Sequence, residues 1–436
     1  MNFTEATTYL YSLGHETLVM KLGLESIRRL CRQLGNPQLE IATVHIAGTN
    51  GKGSTSAMVE AIALQAGLHT GLYTSPHLED ITERIRVNGR NISQPDFARL
   101  AGVMREASEQ LVAQHELPAP PTFFEQVTAI ALLWFRECQV DLAIMEVGLG
   151  GRLDATNVCV PLVCAITPIS TDHQRYLGNT IVSIATEKAG IIKSDAPVVL
   201  AQQDDWETVR SVVVKKCREN GAALIDPAES GIEPEIYHAG NGQYSFRYHT
   251  RSDSYDIRLN LAGRHQVINA CTAILIAEQL QRRGMKLQKK DIEKGLNTVH
   301  WAGRLEMIEP ATGRSRFLLD GAHNAAGARV LHEFLLEHCR QPLTLIFAVM
   351  TDKSLDEIAA LLFPLAQTVI VTHVDNQRAA DPQMIAERFS DRGWRIKSTD
   401  TVAEAIAFAE NMTPTDGLIC VCGSLYLIGE VKGLLK

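Results

Sequence analysis

Apolar residues along this chain fall into two recurring patterns. Runs rich in Val, Ile and Leu, with little alternation, occupy 43–47, 140–147, 160–167, 197–201, 315–320, 343–349, 367–372 and 417–422. Such runs are how strands covered on both faces of a parallel sheet read. Between most of them lie stretches with apolar residues at helical spacing. The chain therefore predicts repeated βαβ units and an α/β fold. Residues 204–260 break the rhythm. The text "GIEPEIYHAGNGQYSFRYHTRSDSYDIRLNL" is polar, aromatic and rich in turn residues. It predicts antiparallel strands appended to the first sheet. The βαβ rhythm restarts near 315, so "NTVHWAGRL" at 297–305 is the expected boundary, dividing 1–298 from 299–436.

Length agrees with two units, since 436 residues exceed what one hydrophobic core usually organises. The net charge of −8 argues against a broad nucleic-acid surface but leaves room for a local basic pocket. Nine cysteines, with no C-x-x-C pair, read as buried free thiols in a reducing compartment. "MNFTEATTYL" lacks the basic and apolar regions of a signal peptide, and no apolar run approaches the ~18 residues of a membrane span. A cytoplasmic protein is expected, with no membrane partner.

Candidate chemistry begins at "VHIAGTNGKGSTSAMVEAI", residues 44–62. A strand runs into a turn holding Gly48, Gly51 and Gly53, and a helix begins near Ser54. The strict phosphate-loop pattern fails twice: Ile46 replaces its first Gly, and Gly53 stands where Ser or Thr should follow Lys52. The context nevertheless supplies what phosphate binding needs. Glycines expose backbone N–H groups, a helix N-terminus adds positive charge, and Lys52 can reach terminal phosphates. The bland alternative is a tight turn with a solvated lysine. Ser54 is open to two readings, a phosphate or metal contact and a helix N-cap.

Other blocks follow in order: "TSPHL" (74–78), "ERIRVNG" (83–89), "TFFE" (122–125), "EVGLGGRLDATN" (146–157), "DHQRYLG" (172–178), "EKAGIIK" (187–193), "HQVINA" (265–270), "GRLE" (303–306), "DGAHN" (320–324) and "GSLYLIGEV" (423–431). With "AGTNGKGS", this ordered set resembles the folylpolyglutamate synthases and dihydrofolate synthases, relatives of the Mur ligases. The resemblance covers nearly the whole chain. It implies a P-loop-type ATPase domain with a mostly parallel sheet and a smaller C-terminal Rossmann-like α/β domain. It also implies ATP-dependent amide ligation: a carboxylate takes the γ-phosphate, and the amine of L-glutamate attacks the acyl phosphate.

Roles follow from the resemblance residue by residue. Asn50, Gly51, Lys52, Gly53 and Ser54 form the nucleotide loop, and Asn269, Arg304 and Asp320 match positions that contact ATP. Without the resemblance, Arg304 reads equally as an interdomain salt bridge. Glu146, at the end of a buried strand, joins Ser75 and His173 on magnesium, with two ions expected and a monovalent cation as a further candidate. An imidazole is an unusual magnesium ligand, so His173 rests on the motif alone. Lys188 reads from sequence as a solvated lysine near a helix end; the resemblance implies that it is carbamylated. His323 is a candidate for positioning the glutamate or the transferred phosphate. For a pterin, Thr122, Phe124, Glu125, Arg152 and Asp154 offer a stacking face and polar partners. Phe123 and Phe124 are expected to face opposite ways, one into the core. Ser170, Thr171 and Ala325 depart from the family's usual loop residues.

The expected substrates are dihydropteroate and reduced folates together with L-glutamate, in a bifunctional and monomeric enzyme. Polyglutamylation alone is the second reading. A cell-wall Mur ligase needs a UDP-binding domain ahead of the loop, and about forty residues precede Gly48 here, too few for one. A nucleotide switch or motor would leave the C-terminal motifs unexplained.

Overall fold

The computed structural model describes residues 1–14, 23–227, 233–240, 242–309 and 315–436. Eight strands form the first sheet: β1 (Thr43–Ala47), β2 (Thr70–Tyr73), β3 (Ile85–Val87), β4 (Arg90–Asn91), β5 (Leu142–Glu146), β6 (Val163–Ile166), β7 (Val198–Leu200) and β8 (Leu224–Ile225). Their order is β4-β3-β2-β5-β1-β6-β7-β8, parallel except at the β3 and β4 edge. β1 lies inside the sheet, which is why all its residues are buried. Val44 and Ile46 pack on one face with Met58, Val59 and Ile62 of the helix Lys52–Gln65. That helix starts at Lys52, two residues before the sequence places it.

The expected antiparallel strands exist but are not appended to this sheet. β9 (Glu235–Gly240), β10 (Gln243–His249) and β11 (Ser254–Arg258) make a separate three-stranded sheet. Alternation drives the separation. Tyr244, Phe246, Tyr248, Tyr255 and Ile257 turn inward onto the same core as the helix Arg264–Arg282. The earlier part of that run, Trp206–Asn220, is a helix, and only Leu224–Ile225 joins the first sheet. Residues 228–232 and 241 of the run lie outside the described residues.

The third sheet contains β12 (Glu306–Ile308), β13 (Arg316–Leu319), β14 (Leu343–Phe347), β15 (Thr368–Thr372), β16 (Ile396–Thr399) and β17 (Leu418–Cys422). The order is β12-β13-β17-β14-β15-β16, with only β12 antiparallel. Each of the eight apolar runs therefore contains a strand: 43–47 is matched end to end, and the others are shorter than read.

Trp301 occupies the segment joining the second sheet's core to the third sheet. Its indole lies on Gly53, where an added Cβ would meet Nε1 at 3.1 Å, and the Arg86 guanidinium lies over the ring at 5.0 Å. Gly429 lets the C-terminal helix Leu425–Leu435 meet the backbone of Leu78, which an added Cβ would strike at 2.0 Å.

Candidate active site

Register assembles the site. Glu146, the last residue of β5, pairs with Ile46 of β1, and Ile166 of β6 pairs with Ala47. The phosphate loop, Glu146 and the segment Thr167–His173 thus leave the sheet side by side at its carboxyl edge, where α/β proteins bind ligands. Thr49 and Asn50 N–H groups both donate to Pro168 O, at 3.0 and 3.1 Å, which fixes the loop against that segment. Two glycines are obligatory here. Gly51 has φ +82°, and its Cβ would lie 2.3 Å from Asn269 Oδ1. A Cβ on Gly48 would lie 1.8 Å from Thr167 Oγ1.

Lys52 is half-buried, and its Nζ donates to Thr49 O at 3.1 Å. Burial lowers its pKa, with Glu146 and Asp172 opposing that shift. Ser54 does not cap the helix, because Gly51 occupies the N-cap. Its Oγ instead accepts from Gln266 Nε2 at 3.2 Å, and Asn269 Nδ2 donates to Gln266 Oε1 at 2.8 Å. This polar row tethers the loop to the helix Arg264–Arg282.

Glu146 is 4 % exposed, and burial raises its pKa to about 7 despite the charge of Lys52. Its Oε2 accepts from Ser75 N at 3.4 Å. His173 sits at φ +49° ahead of a single helical turn, and burial lowers its pKa to about 4. Among the described residues, no three His, Cys, Asp or Glu side chains converge as a metal cage. A buried carboxylate with one long hydrogen bond, beside a serine, still suits magnesium, which takes few protein ligands and prefers oxygen.

The solvated reading of Lys188 is wrong. The helix Ile181–Ala189 turns it inward, it is 4 % exposed, and its Nζ donates to Gly48 O at 2.6 Å. Burial, and then the charge of Lys52, lowers its pKa to about 7. A large fraction of this amine is therefore neutral near neutral pH, the form that can react with CO₂.

The third sheet supplies the facing wall. Asp320, just past β13, accepts from Leu305 N and Ala322 N, each at 2.9 Å. Arg304 makes no ion pair among the described residues, so the salt-bridge alternative fails; its Nη1 donates to Gly303 O at 3.1 Å. His323 donates from Nδ1 to Gly321 O at 2.7 Å, which leaves Nε2 facing Asp172 Oδ2 at 3.7 Å. Asn324 Nδ2 reaches both Asn50 Oδ1 at 3.1 Å and Asp172 Oδ2 at 3.2 Å. Lys353 Nζ donates to Asp172 Oδ1 at 2.6 Å. Sequence reasoning missed Asp172, Gln266, Asn324 and Lys353. Asp172, Gln266 and Asn324 stand inside motifs it quoted, whereas Lys353 reads as an ordinary polar turn in "MTDKS".

Two adjoining cavities result. One, of about 890 Å³, is lined by all five loop residues, Ser75, Glu146, His173, Lys188, Asn269, Arg304, Asp320 and His323. The other, of about 290 Å³, is lined by Thr122, Phe124, Glu125, Arg152 and Asp154, and on its far side by Lys353 and Ser424. Phe123 is buried and Phe124 faces this cavity; both open the helix Phe123–Glu137, so helical rotation and not strand alternation separates them. The polar groups here are partly spoken for. Thr122 and Glu125 form the capping box of the helix Phe123–Glu137. Arg152 pairs with Glu187 at 2.9 Å, and Asp154 accepts from Leu149 N, Thr156 N and Thr156 Oγ1.

A phosphate loop at one sheet edge, faced by a second α/β unit across a cavity of nucleotide size, defines an ATP-dependent ligase that forms C–N bonds. Comparison agrees. The Mur ligase middle domain matches residues 46–277, and the Mur ligase glutamate ligase domain matches 303–425. The dihydrofolate synthase/folylpolyglutamate synthase of Bacillus subtilis is 35% identical over 428 residues, covering 96% of each chain. A probable bifunctional folylpolyglutamate synthase/dihydropteroate synthase of Haloferax volcanii is 34% identical over 438 residues, and this chain spans 50% of its length. Escherichia coli FolC in complex with DHPP and ADP superposes with a TM-score of 0.85 at 27% identity, covering 100% of this chain and 97% of that one. Mycobacterium tuberculosis folylpolyglutamate synthase complexed with ADP superposes at 0.88 and 31% identity, covering 99% and 98%. The chain belongs to the folylpolyglutamate synthase and dihydrofolate synthase family of Mur ligases.

Proposed function

We propose that the enzyme joins L-glutamate to dihydropteroate and to reduced folates, using ATP. The observation that carries this reading is the shared wall of the two cavities. Ser75, Gly148, Leu149, Gly150, His173 and His323 border both. An acceptor in the smaller cavity therefore ends where the phosphates of a nucleotide on the loop end. Phe124 covers the pterin face, while Thr122, Glu125, Arg152 and Asp154 shape its polar edge.

The chemistry follows in two displacements. The acceptor's carboxylate oxygen bonds to the γ-phosphorus and ADP leaves. The glutamate nitrogen then bonds to the acyl carbon, loses a proton, and phosphate departs. Lys52, with the N–H groups of Gly51, Gly53 and Ser54, holds the phosphates and offsets their charge, on a loop that Asn50 anchors to Pro168. Asn269, Arg304 and Asp320 hold the rest of the nucleotide, and Arg304 reaches it only with the two units closed. His323 positions the glutamate or the transferred phosphate. Ser75, Glu146 and His173 would hold magnesium, of which two ions are expected, and it would supply positive charge to offset the phosphates. Lys188 would carry a carbamate, turning a cation into an anion beside that site, and a monovalent cation is a further candidate ligand. The division falls at 298/299, and the enzyme is a cytoplasmic monomer with no nucleic-acid or membrane partner. Among the described residues, no helix is long and apolar enough to cross a membrane.

The test is a ligation assay with ATP, Mg²⁺ and L-glutamate, offering dihydropteroate and tetrahydrofolate separately and following products by mass. Glutamate on both acceptors is the expected result. Addition to tetrahydrofolate alone leaves a polyglutamylating enzyme. ADP release without addition to either removes the protein from folate chemistry.

A further inference from the structure

His45 stands in the middle of "TVHIA", on the strand that feeds the phosphate loop. Its neighbours on β1 are apolar, and its backbone is paired on both sides, to Met145 and Cys164. The side chain is wholly buried. An imidazole in such a place is costly unless it is hydrogen-bonded, and Val or Ile would fill the position without that cost.

Among the described residues the ring has one partner. Nε2 lies 2.8 Å from Thr156 Oγ1. The Thr156 hydroxyl already donates its proton to Asp154 Oδ1 at 2.5 Å. It must therefore accept from His45, which fixes the tautomer with the proton on Nε2. The bare Nδ1 lone pair has no hydrogen-bond partner among the described residues, a smaller cost than an orphaned N–H. Burial, reinforced by the charge of Lys193, lowers the ring's pKa to about 3, so it stays neutral at working pH.

The bonds continue outward. Asp154 Oδ1 also accepts from Thr156 N at 3.0 Å, and Oδ2 accepts from Leu149 N at 2.8 Å. Leu149 belongs to the wall between the two cavities, and the loop from Gly148 to Ala155 lines the smaller one. A direct line of hydrogen bonds thus runs from the strand under the phosphate loop to the acceptor-side wall.

We infer that His45 is a positioning residue: through Thr156 and Asp154 it sets the Gly148–Ala155 loop, and hence the bound acceptor, in register with the phosphate loop. This rests on reading the smaller cavity as the acceptor site. His45 touches no substrate. It acts by presenting one N–H to a hydroxyl whose own proton is committed to Asp154.

Steady-state kinetics on His45→Leu, His45→Gln and Thr156→Val test this, with tetrahydrofolate, ATP and glutamate varied in turn. His45→Leu and Thr156→Val are expected to raise the acceptor KM by about fivefold to tenfold, the worth of one buried neutral hydrogen bond, leaving the ATP KM within about twofold. His45→Gln, which restores a donor, should recover most of the loss. The double variant should be no worse than the poorer single one, because both break one line. If His45→Leu does not fold, Thr156→Val decides alone. An unchanged acceptor KM in folded Thr156→Val, or equal rises for ATP and acceptor, overturns the inference. Phe124→Ala is run alongside: if it too leaves the acceptor KM unchanged, the cavity assignment has failed and not merely the relay.

Discussion

Lys353 and Asp172 meet at 2.6 Å between the loop after β14 and the loop after β6, with side chains 6 % and 8 % exposed. Burial alone works against ionisation of Asp172, but His323, His173 and Lys353 outweigh it and hold the carboxyl well below the usual range. Breaking a buried pair leaves an uncompensated charge, at a cost of about 3–5 kcal/mol. Lys353→Met and Asp172→Asn should each lower the urea midpoint, and the double variant should recover much of the loss. Strict additivity of the two in denaturation curves would show that they are not coupled.

Lys52 marks the phosphate end of the larger cavity. Lys52→Ala should cut turnover by roughly 10²–10³-fold, the scale for removing one charge-stabilising group. Circular dichroism should be unchanged, since Lys52 Nζ makes a single hydrogen bond to its own loop. Near-normal ligation by the folded variant would mean the loop has been misread.

Phe124 lines the smaller cavity and lies in a tilted pair with Tyr73, their ring centroids 6.1 Å apart. Phe124→Ala should raise the acceptor KM by up to about tenfold, matching the 0.5–1.5 kcal/mol scale of aromatic contacts. The ATP KM should not move. The check is initial-rate kinetics with each substrate varied.

Lys188 gives a pH signature. Its pKa is about 7 folded, from burial first and Lys52 second, against ~10.4 in the unfolded chain. Between these values the unfolded chain holds a proton that the folded one lacks, so stability rises with pH across this window. Below about pH 7 both states are charged, and the burial cost is present in full. In CO₂-free buffer, urea midpoints should therefore climb from about pH 7 to pH 10, and Lys188→Met should flatten the climb. In bicarbonate, native mass spectrometry should show one added carbamate. A bare lysine there, with CO₂ loss on handling controlled, removes the modification.

Much of this was readable where chemistry and sequence are contiguous. β1, its glycines and the following helix form one unbroken segment, so local rules found the loop even against a broken consensus. Glu146 was readable because a carboxylate ending an apolar strand has few other places to go. Lys188 was misplaced because a lysine near a helix end is ordinarily solvated, and only the packing of that helix under Gly48 buries it. Lys353 was invisible because its partner lies 181 residues away. The separate three-stranded sheet was misattached for a related reason: alternation reveals an inner face but not which core receives it. Thr122 and Glu125 line the smaller cavity as the sequence reading has it, but their capping-box role was not legible, because a helix cap and a polar pocket rim use the same residue types.

The indole of Trp301 on Gly53 makes the protein its own optical probe. The chain contains four tryptophans, and this one alone has its ring against the phosphate loop, with an arginine stacked above it. Filling the loop with nucleotide is expected to shift that ring's emission without a label, and Trp301→Phe provides the blank: an ATP-dependent change that persists in the variant would come from another tryptophan.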